Sequence, residues 1–228
     1  MAQGRLFHQL MERHFLGLPV ESESSPDAVV NHWFKLFKQS GLSLPAGRLL
    51  PETNLSVPIA GHYLTGRFDL LVLGTEKGQQ LIHVFDWKTG KAQEISELKR
   101  DWQTRLYFAL LAEGSAALLE KGIRISPEQL RMTYWYVSDP ERPRTLQYDR
   151  SWHSQNWSEI GAIIDQVQAG IDAENDPDWP LTPDWSQCRY CPYQSYCDRR
   201  GNDAAANDTD DSEEDDTQPA AAMEPTLP

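Results

Sequence analysis

The sequence has little cysteine and no long apolar run, and each shortage excludes a class of protein. Only three cysteines occur in 228 residues. Because they are odd in number and crowded near the C-terminus, they do not form the disulfide framework of a small secreted domain. No apolar stretch approaches the length needed to span a bilayer, and the N-terminus lacks the pattern of a signal peptide. We therefore predict a cytoplasmic protein without a membrane segment.

Basic residues are missing from the last part of the chain. The formal net charge is −13, yet residues 201–228 hold nine acidic residues and no Lys or Arg, which leaves 25 acidic against 21 basic residues over 1–200. We predict that 201–228 is an acidic disordered tail and that 1–200 is the folded domain. The overall charge neither supports nor excludes a nucleic-acid substrate. Four basic residues offer either a local basic face or an ordinary solvated helix surface: Lys91, Lys99, Arg100 and Arg105.

Two apolar runs in the middle of the chain predict a β-hairpin. Residues 68–73 and 81–87 flank a turn rich in Gly, Lys and Gln, which is typical of adjacent antiparallel strands. Asp69 lies near the start of the first strand and Asp86 near the end of the second, so the hairpin brings them together at its open end. Because side chains alternate along a strand, Asp86 and Lys88 share a face.

Two carboxylates beside a lysine indicate a metal-dependent site. Like charges at short distance repel and resist leaving water, and a divalent cation removes that penalty. Mg²⁺ prefers oxygen ligands and completes its shell with water and phosphate, and a neighbouring lysine then orients water or offsets charge on a phosphate. A surface hairpin with an ordinary Lys–Asp pair is the alternative, because D-x-K is common by chance.

The remaining pattern places this hairpin inside a larger α/β domain. Helices and strands are predicted in the following order: helices over 4–16 and from Ser25, a strand segment over 49–64, the hairpin, a helix over 96–113, strands over 130–137 and 144–148, and a helix over 152–171. Helices before, between and after the strands indicate a three-layer α/β fold with a mixed central sheet.

Four further residues in these elements have ordinary explanations when taken alone. His8 flanks an apolar helical stripe, where a packed or surface histidine is usual, and Glu52 in the strand segment is compatible with an exposed glutamate. Gln103 and Tyr107 are four residues apart on one helix, so they can point at the same object, although such a pair usually belongs to a partly buried helix flank.

The order of these motifs resembles a known family. Its elements are G-x-x-x-H at 4–8, Glu52, G-x-x-D at 66–69, D-x-K-T-G at 86–90, Q-x-x-x-Y at 103–107, and a terminal cysteine cluster. Each motif is weak singly, but the set over residues 4–198 is similar to the RecB-like branch of the PD-(D/E)xK nuclease superfamily, which includes CRISPR-associated RecB-like exonucleases.

The resemblance implies a restriction-endonuclease-like fold and hydrolysis of DNA phosphodiester bonds with Mg²⁺ or Mn²⁺. It implies an exonuclease on single-stranded DNA or free ends, in repair, recombination or defence, alone or beside a helicase. The implied roles are metal ligation by His8, Asp69, Asp86 and the backbone carbonyl of Trp87, catalysis by Lys88, positioning of DNA or metal by Gln103 and Tyr107, and support from outside the ligand set by Glu52.

The cysteines depart from the family pattern. Relatives with an iron–sulfur cluster use one cysteine far upstream and three near the C-terminus, and Cys188, Cys191 and Cys197 match the terminal three. The fourth is absent from this chain. Four alternatives remain open: a [4Fe–4S] cluster completed by a cysteine upstream of Met1, the same cluster completed by a non-cysteine residue, a Zn²⁺ site with a fourth group such as histidine, and three reduced cysteines packed on nearby tyrosines.

Two other functions compete with the nuclease. A non-catalytic DNA-binding or assembly module that retains the fold would bind DNA without cleaving it. A metal-binding cysteine module attached to an unrelated α/β domain would bind metal without any dependence on Asp69.

Overall fold

The computed structural model describes residues 2–20, 25–76, 78–120, 123, 125–172, 182–193 and 196. The chain divides into two compact units, and every element described here except one C-terminal turn lies within residues 2–179. The elements are α1 (Ala2–Phe15), α2 (Ala28–Gln39), β1 (Gly47–Ile59), β2 (His62–Glu76), β3 (Gln79–Lys88), α3 (Ile95–Leu98), α4 (Trp102–Gly114), β4 (Leu130–Tyr136), β5 (Arg144–Gln147) and α5 (Arg150–Asp172), with 3₁₀ turns at Ser115–Ala117, Pro127–Gln129 and Trp185–Tyr190. No helix among the described residues is long and apolar enough to cross a membrane.

The five strands form one mixed sheet in the order β1-β2-β3-β4-β5. Strand β3 pairs in parallel with β4, and the other neighbours are antiparallel. A parallel pair requires a crossover connection, and α3 and α4 supply it. The predicted three-layer α/β fold with a mixed central sheet is therefore confirmed.

Each face of the sheet is covered by helices. On one face α1 and α2 bury an aromatic cluster in which Phe7 and Phe37 pack against Trp87 and Trp135. On the other face α4 packs against apolar side chains of all five strands. Strand β3 shows the alternation that this requires, since Val84 belongs to the α4 face and Trp87 to the α1 face.

A stability test of the α4 core centres on Phe108. Its fully buried ring stacks on Tyr148 with centroids 4.5 Å apart and lies 5.4 Å from the ring of Trp152. Phe108→Ala should lower the free energy of unfolding by about 3–5 kcal/mol, measured by chemical denaturation. Val167→Ala on the exposed side of α5 is the control and should change it by less than about 0.5 kcal/mol. Equal losses at the two positions would contradict this packing.

The helix predicted over 96–113 is interrupted. The first part, α3, ends at Leu98, and Asp101 is the N-cap of α4, where its side chain accepts hydrogen bonds from the backbone N–H groups of Gln103 and Thr104. An N-cap aspartate satisfies amide groups that have no partner within the helix, so it starts a new helix rather than continuing the old one. Gln103 therefore lies in the first turn of α4.

Two other boundaries also differ from prediction. The N-cap of α2 is Asp27 and not Ser25, because the Asp27 side chain accepts from the first free amide groups of the helix. The segment 49–64 comprises two strands and not one, since Ala60 and Gly61 adopt positive φ angles and reverse the chain.

Candidate active site

The site lies where the pairing of β2 and β3 ends. The last pair is Leu70 with Phe85, so Asp69 and Asp86 occupy the next opposed positions in the same register. The backbone N–H of Trp87 donates to Oδ2 of Asp69 at 2.8 Å. A carboxylate thus takes the place of a backbone acceptor at the end of the ladder. The hydrogen bond holds the Asp69 side chain next to the backbone of Trp87.

Glu52 approaches Asp69 from the opposite strand. It falls opposite Asp69 in the register of β1 and β2, but its φ of +46° interrupts the ladder at that point. Non-glycine residues rarely adopt positive φ, and such strain is concentrated at functional sites. The Glu52 carboxylate lies 3.2 Å from Nε of Arg67 in a partly exposed ion pair.

Helix α1 supplies a third side chain, that of His8. Nδ1 of His8 lies 3.2 Å from Oδ1 of Asp69. One donor atom from each of His8, Glu52 and Asp69 lies within 4.8 Å of the other two. Gly4 of the same helix faces Thr89, where an added Cβ would lie 3.4 Å from the Thr89 hydroxyl. The G-x-x-x-H spacing therefore brings α1 close to the end of β3 and directs the histidine toward the aspartate.

The charges of this group control one another. Burial acts to lower the pKa of His8, but the charge and hydrogen bond of Asp69 outweigh it and raise the pKa to about 9. Burial and the neighbouring Asp69 raise the pKa of Glu52 to about 7. Burial acts to raise the pKa of Asp69, yet the positive His8 lowers it on balance. Without a cation, the histidine itself serves as the counter-charge.

Asp86 forms a second group with Lys88 and Gln103. Oδ1 of Asp86 lies 3.1 Å from Nζ of Lys88. Lys88 donates to Oε1 of Gln103 at 2.7 Å, and Nε2 of Gln103 donates to Oδ2 of Asp86 at 3.3 Å. Burial is the main cause that raises the pKa of Asp86, to about 7. The charge of Lys88 acts to lower this pKa, and the charge of Asp69 acts to raise it.

Tyr107 joins this group to strand β2. Its hydroxyl donates to the backbone carbonyl of Arg67 and accepts from Nε2 of Gln103 at 3.3 Å. Burial raises the pKa of Tyr107 well above its ordinary value, so the hydroxyl stays protonated. Helix α4 can come this close because residue 66 is glycine, where an added Cβ would lie 2.6 Å from a methyl carbon of Leu110.

The structure brings most of the predicted residues together. His8, Asp69 and Glu52 form one group, and Asp86, Lys88 and Gln103 form the other. Glu52, predicted to support the site from outside the ligand set, has its carboxylate inside the first group. Ligation by the carbonyl of Trp87 stays a prediction, since the contact observed at that residue is made by its N–H.

Sequence reasoning did not single out Arg67. The residue lies inside the G-x-x-D motif and contacts Glu52 through its side chain and Tyr107 through its carbonyl. Its position between the motif residues, on the exposed side of a strand, was the available signal. Arg105, in contrast, donates to Asn156 of α5 at 2.8 Å and pairs with Glu159, so it is used in packing α4 on α5 rather than on an open basic face.

The donor set fits a hard divalent cation. Oδ1 of Asp86 is buried and faces the Lys88 ammonium at 3.1 Å, but it has no hydrogen bond of good geometry to a described residue, so a further partner such as a cation would lower the cost of burying it. The carboxylates of Glu52 and Asp69 converge here with the His8 imidazole, and Asp86 is near enough for Asp69 to repel it, so a cation would offset this repulsion. Oxygen ligands suit Mg²⁺ and Mn²⁺, and the imidazole of His8 favours Mn²⁺ of the two.

A substitution at Glu52 tests whether it belongs to the ligand set. Glu52→Gln should raise the Mn²⁺ concentration for half-maximal thermal stabilisation by about tenfold, because a charged oxygen donor is lost. Titration of the melting temperature with Mn²⁺ measures this. Glu120→Gln makes the same charge change at an exposed position and should leave the titration unchanged. Coincident titration curves for the two variants would place Glu52 outside the ligand set.

The cysteines belong to the other compact unit of the chain, which includes residues 180–228. Cys188 lies in the turn Trp185–Tyr190, and the N–H of Cys191 donates to the carbonyl of Cys188 at 3.3 Å. Cys197 lies outside the described residues, as does the predicted tail over 201–228. A [4Fe–4S] or Zn²⁺ site at these cysteines stays a prediction.

Comparison with known proteins gives a family match. Residues 1–198 match the family model for the PD-(D/E)XK nuclease superfamily. No curated protein gives a significant match. Among solved structures the chain is similar to SSO0001, with 13% sequence identity, a TM-score of 0.36, and coverage of 86% of this chain and 96% of that chain. The mixed sheet flanked by helices is consistent with a restriction-endonuclease-like fold, and because the family model spans most of its length, the chain belongs to the PD-(D/E)XK nuclease superfamily.

Proposed function

We propose that the protein is a metal-dependent deoxyribonuclease that hydrolyses DNA phosphodiester bonds from free ends. Membership of the superfamily indicates a nuclease and therefore a hydrolase that acts on phosphodiester bonds. The observation that carries the proposal is the buried Asp86 carboxylate, which lies beside Lys88 at the end of the ladder that also holds Asp69. In such hydrolysis the two carboxylates bind the metal ion, and the adjacent lysine offsets charge on the phosphate.

The residues that would hold the cation are Asp69, Asp86 and His8, with Glu52 as a further ligand. A bound Mg²⁺ or Mn²⁺ supplies charge neutralisation at a phosphate and acidifies a water ligand. Lys88 then presents a positive charge next to Asp86, where it orients the attacking water and offsets charge that develops on phosphorus oxygens.

Gln103 and Tyr107 act on this machinery from α4. The Gln103 amide accepts from Lys88 and donates to Asp86, so a single side chain fixes the positions of Lys88 and Asp86 relative to each other. Tyr107 holds the Arg67 carbonyl and thereby ties α4 to the strand that carries Asp69. Such prior positioning reduces the reorganisation required during reaction.

Several finer assignments follow from the motif order and belong to the same proposal. The RecB-like branch is supported by the G-x-x-x-H motif, since His8 reaches Asp69 at 3.2 Å. With that branch come a preference for single-stranded ends, exonuclease action, a role in repair, recombination or defence, and a helicase as partner. A [4Fe–4S] or Zn²⁺ centre on the terminal cysteines is supported by the C-x-x-C spacing of Cys188 and Cys191.

The test uses linear DNA labelled at either end. With Mn²⁺ or Mg²⁺ the protein should shorten the strand, and with EDTA it should not. Release of the label as mononucleotides or short products from one end identifies an exonuclease, and internal cuts in a covalently closed circle identify an endonuclease. DNA binding in a gel-shift experiment without cleavage in any metal would support the non-catalytic DNA-binding module instead.

A further inference from the structure

Strands β1 and β2 continue beyond the rest of the sheet as a two-stranded ribbon. Pairing of β2 with β3 begins at Leu70, whereas residues 62–68 of β2 pair only with 53–59 of β1. We call residues 53–68 the ribbon. Its near end is formed by Glu52 and Asp69, so the ribbon starts at the candidate active site.

The two faces of the ribbon differ sharply. The inner face is buried against α4 and α5 through Leu55, Val57 and Ile59. The outer face is exposed along its whole length, and Tyr63 near the tip is 78% exposed. Its six side chains include one base and no acid, although the protein as a whole is acidic: Asn54, Ser56, Pro58, Tyr63, Thr65 and Arg67.

The outer face adjoins the part of the active site formed by His8, Glu52 and Asp69, which it reaches through Arg67. Helix α1 and its His8 cover the same side of the sheet at Leu70 and Val72, and the ribbon begins where that cover ends. Arg67, nearest the site, pairs with Glu52 at 3.2 Å and is largely exposed. A chain of phosphates leaving the site along the ribbon would thus meet a cationic side chain first and an exposed aromatic ring last.

We propose that the outer face of the ribbon binds single-stranded DNA that extends from the active site, with Arg67 at a phosphate and Tyr63 stacked on a base. The inference rests on the proposed nuclease function and names the surface that holds its polymeric substrate. The six side chains of the face include no acid that would repel a polyanion, and exposed aromatic rings stack on bases of any sequence. A protein partner is less well suited, because the face has only one large apolar side chain.

The length of the ribbon sets the length of strand that it can hold. Six residues separate Asp69 from Tyr63, which is about 20 Å in a strand. That length corresponds to about six nucleotides at the duplex rise of about 3.4 Å per nucleotide, and to fewer in a more extended single strand. Affinity should therefore increase as an oligonucleotide grows beyond four nucleotides, and should level off before twelve.

Fluorescence anisotropy with labelled oligothymidines of four and twelve nucleotides tests this, with Ca²⁺ in place of Mg²⁺ or Mn²⁺ and a gel to check that the strands stay intact. Wild-type protein should bind the 12-mer more tightly than the 4-mer. Tyr63→Ala and Thr65→Glu should each raise the Kd for the 12-mer about tenfold and reduce the gain with length. Thr75→Glu, at an exposed position of the same strand outside the ribbon, is the matched control and should bind like wild type.

The outcomes separate the surface from the nuclease activity. If wild-type protein cleaves DNA but both ribbon variants bind the 12-mer as it does, the strand runs elsewhere and only the present inference fails. If wild-type protein shows no cleavage but its length-dependent binding is lost in the variants, the nuclease proposal fails and the binding surface stands. Absence of any length dependence in wild-type protein also overturns the surface. Tyr63→Ala removes only an exposed side chain, so it keeps the test valid if Thr65→Glu unfolds.

Discussion

Asp86→Asn should reduce DNA cleavage by at least about 10³-fold and at the same time stabilise the metal-free protein at pH 8. Loss of cleavage follows because the amide cannot supply an anionic oxygen to the cation. The gain in stability follows because the folded protein holds the Asp86 pKa at about 7, mainly through burial, against an ordinary value near 3.8. Above pH 7 the protein therefore bears the cost of a buried charge, which the neutral asparagine avoids.

The gain in stability of Asp86→Asn should increase with pH. A carboxyl whose pKa is raised on folding favours the folded state at low pH, and this contribution is lost as the pH rises from about 4 to about 7. The stability difference between Asp86→Asn and wild type should thus be largest above pH 7, on the order of 1–3 kcal/mol, and should shrink toward pH 4. The loss of one partner of Lys88 offsets part of the gain, although Lys88 still donates to Gln103. Thermal unfolding in EDTA across this pH range measures it.

Asp69→Asn is the matched control. It makes the same chemical change on the neighbouring strand, but the expected change in stability has the opposite sign. The charge of His8 lowers the pKa of Asp69 in the folded protein, so the ionised carboxylate stabilises the fold above its ordinary pKa, and that contribution is lost as the pH falls through the lowered folded value. Asp69→Asn should therefore abolish cleavage as well, but destabilise the metal-free protein at pH 8. Stability changes of the same sign in the two variants would contradict the charge distribution described here.

The sequence was sufficient to predict the sheet and the meeting of the two aspartates. The two apolar runs at 68–73 and 81–87 predict adjacent antiparallel strands, which β2 and β3 form with a short turn between them. The superfamily was predicted from the order of the motifs, of which His8 is an example: its helix position is unremarkable alone, and it becomes informative only with Asp69.

Tertiary geometry decided what periodicity could not. The placement of Glu52 depends on the register of β1 with β2 and on a positive φ angle, and neither leaves a pattern in the local sequence. Asp101 starts a new helix where the apolar stripe alone predicts one continuous helix. An aspartate within a helical pattern is too common to predict such an N-cap. The ribbon could not be predicted, because its extent depends on where β2 stops pairing with β3, and that is a property of the whole sheet.

Lys88→Met should reduce the rate of DNA cleavage by about 10²–10³-fold at saturating Mn²⁺ while metal binding persists. Methionine keeps the length and the apolar stem of lysine but loses the charge that lies 3.1 Å from Asp86 and 5.8 Å from the centre of the Tyr134 ring. Removal of one well-positioned charge at a developing transition state typically costs this much. Single-turnover cleavage of labelled DNA gives the rate, and the Mn²⁺-dependent rise in melting temperature reports metal binding.

Lys88→Arg distinguishes a positioned charge from a merely positive environment. Lysine bonds Gln103 at 2.7 Å as a compact ammonium group, whereas the planar guanidinium of arginine is wider and presents its donors in a fixed fork. The pocket between Asp86 and Gln103 is formed by two side chains that already bond each other, so it has little room for the larger group. Lys88→Arg should therefore recover less than a tenth of wild-type activity. Full recovery would show that Lys88 acts only through its charge, and an unchanged rate in Lys88→Met would remove it from catalysis altogether.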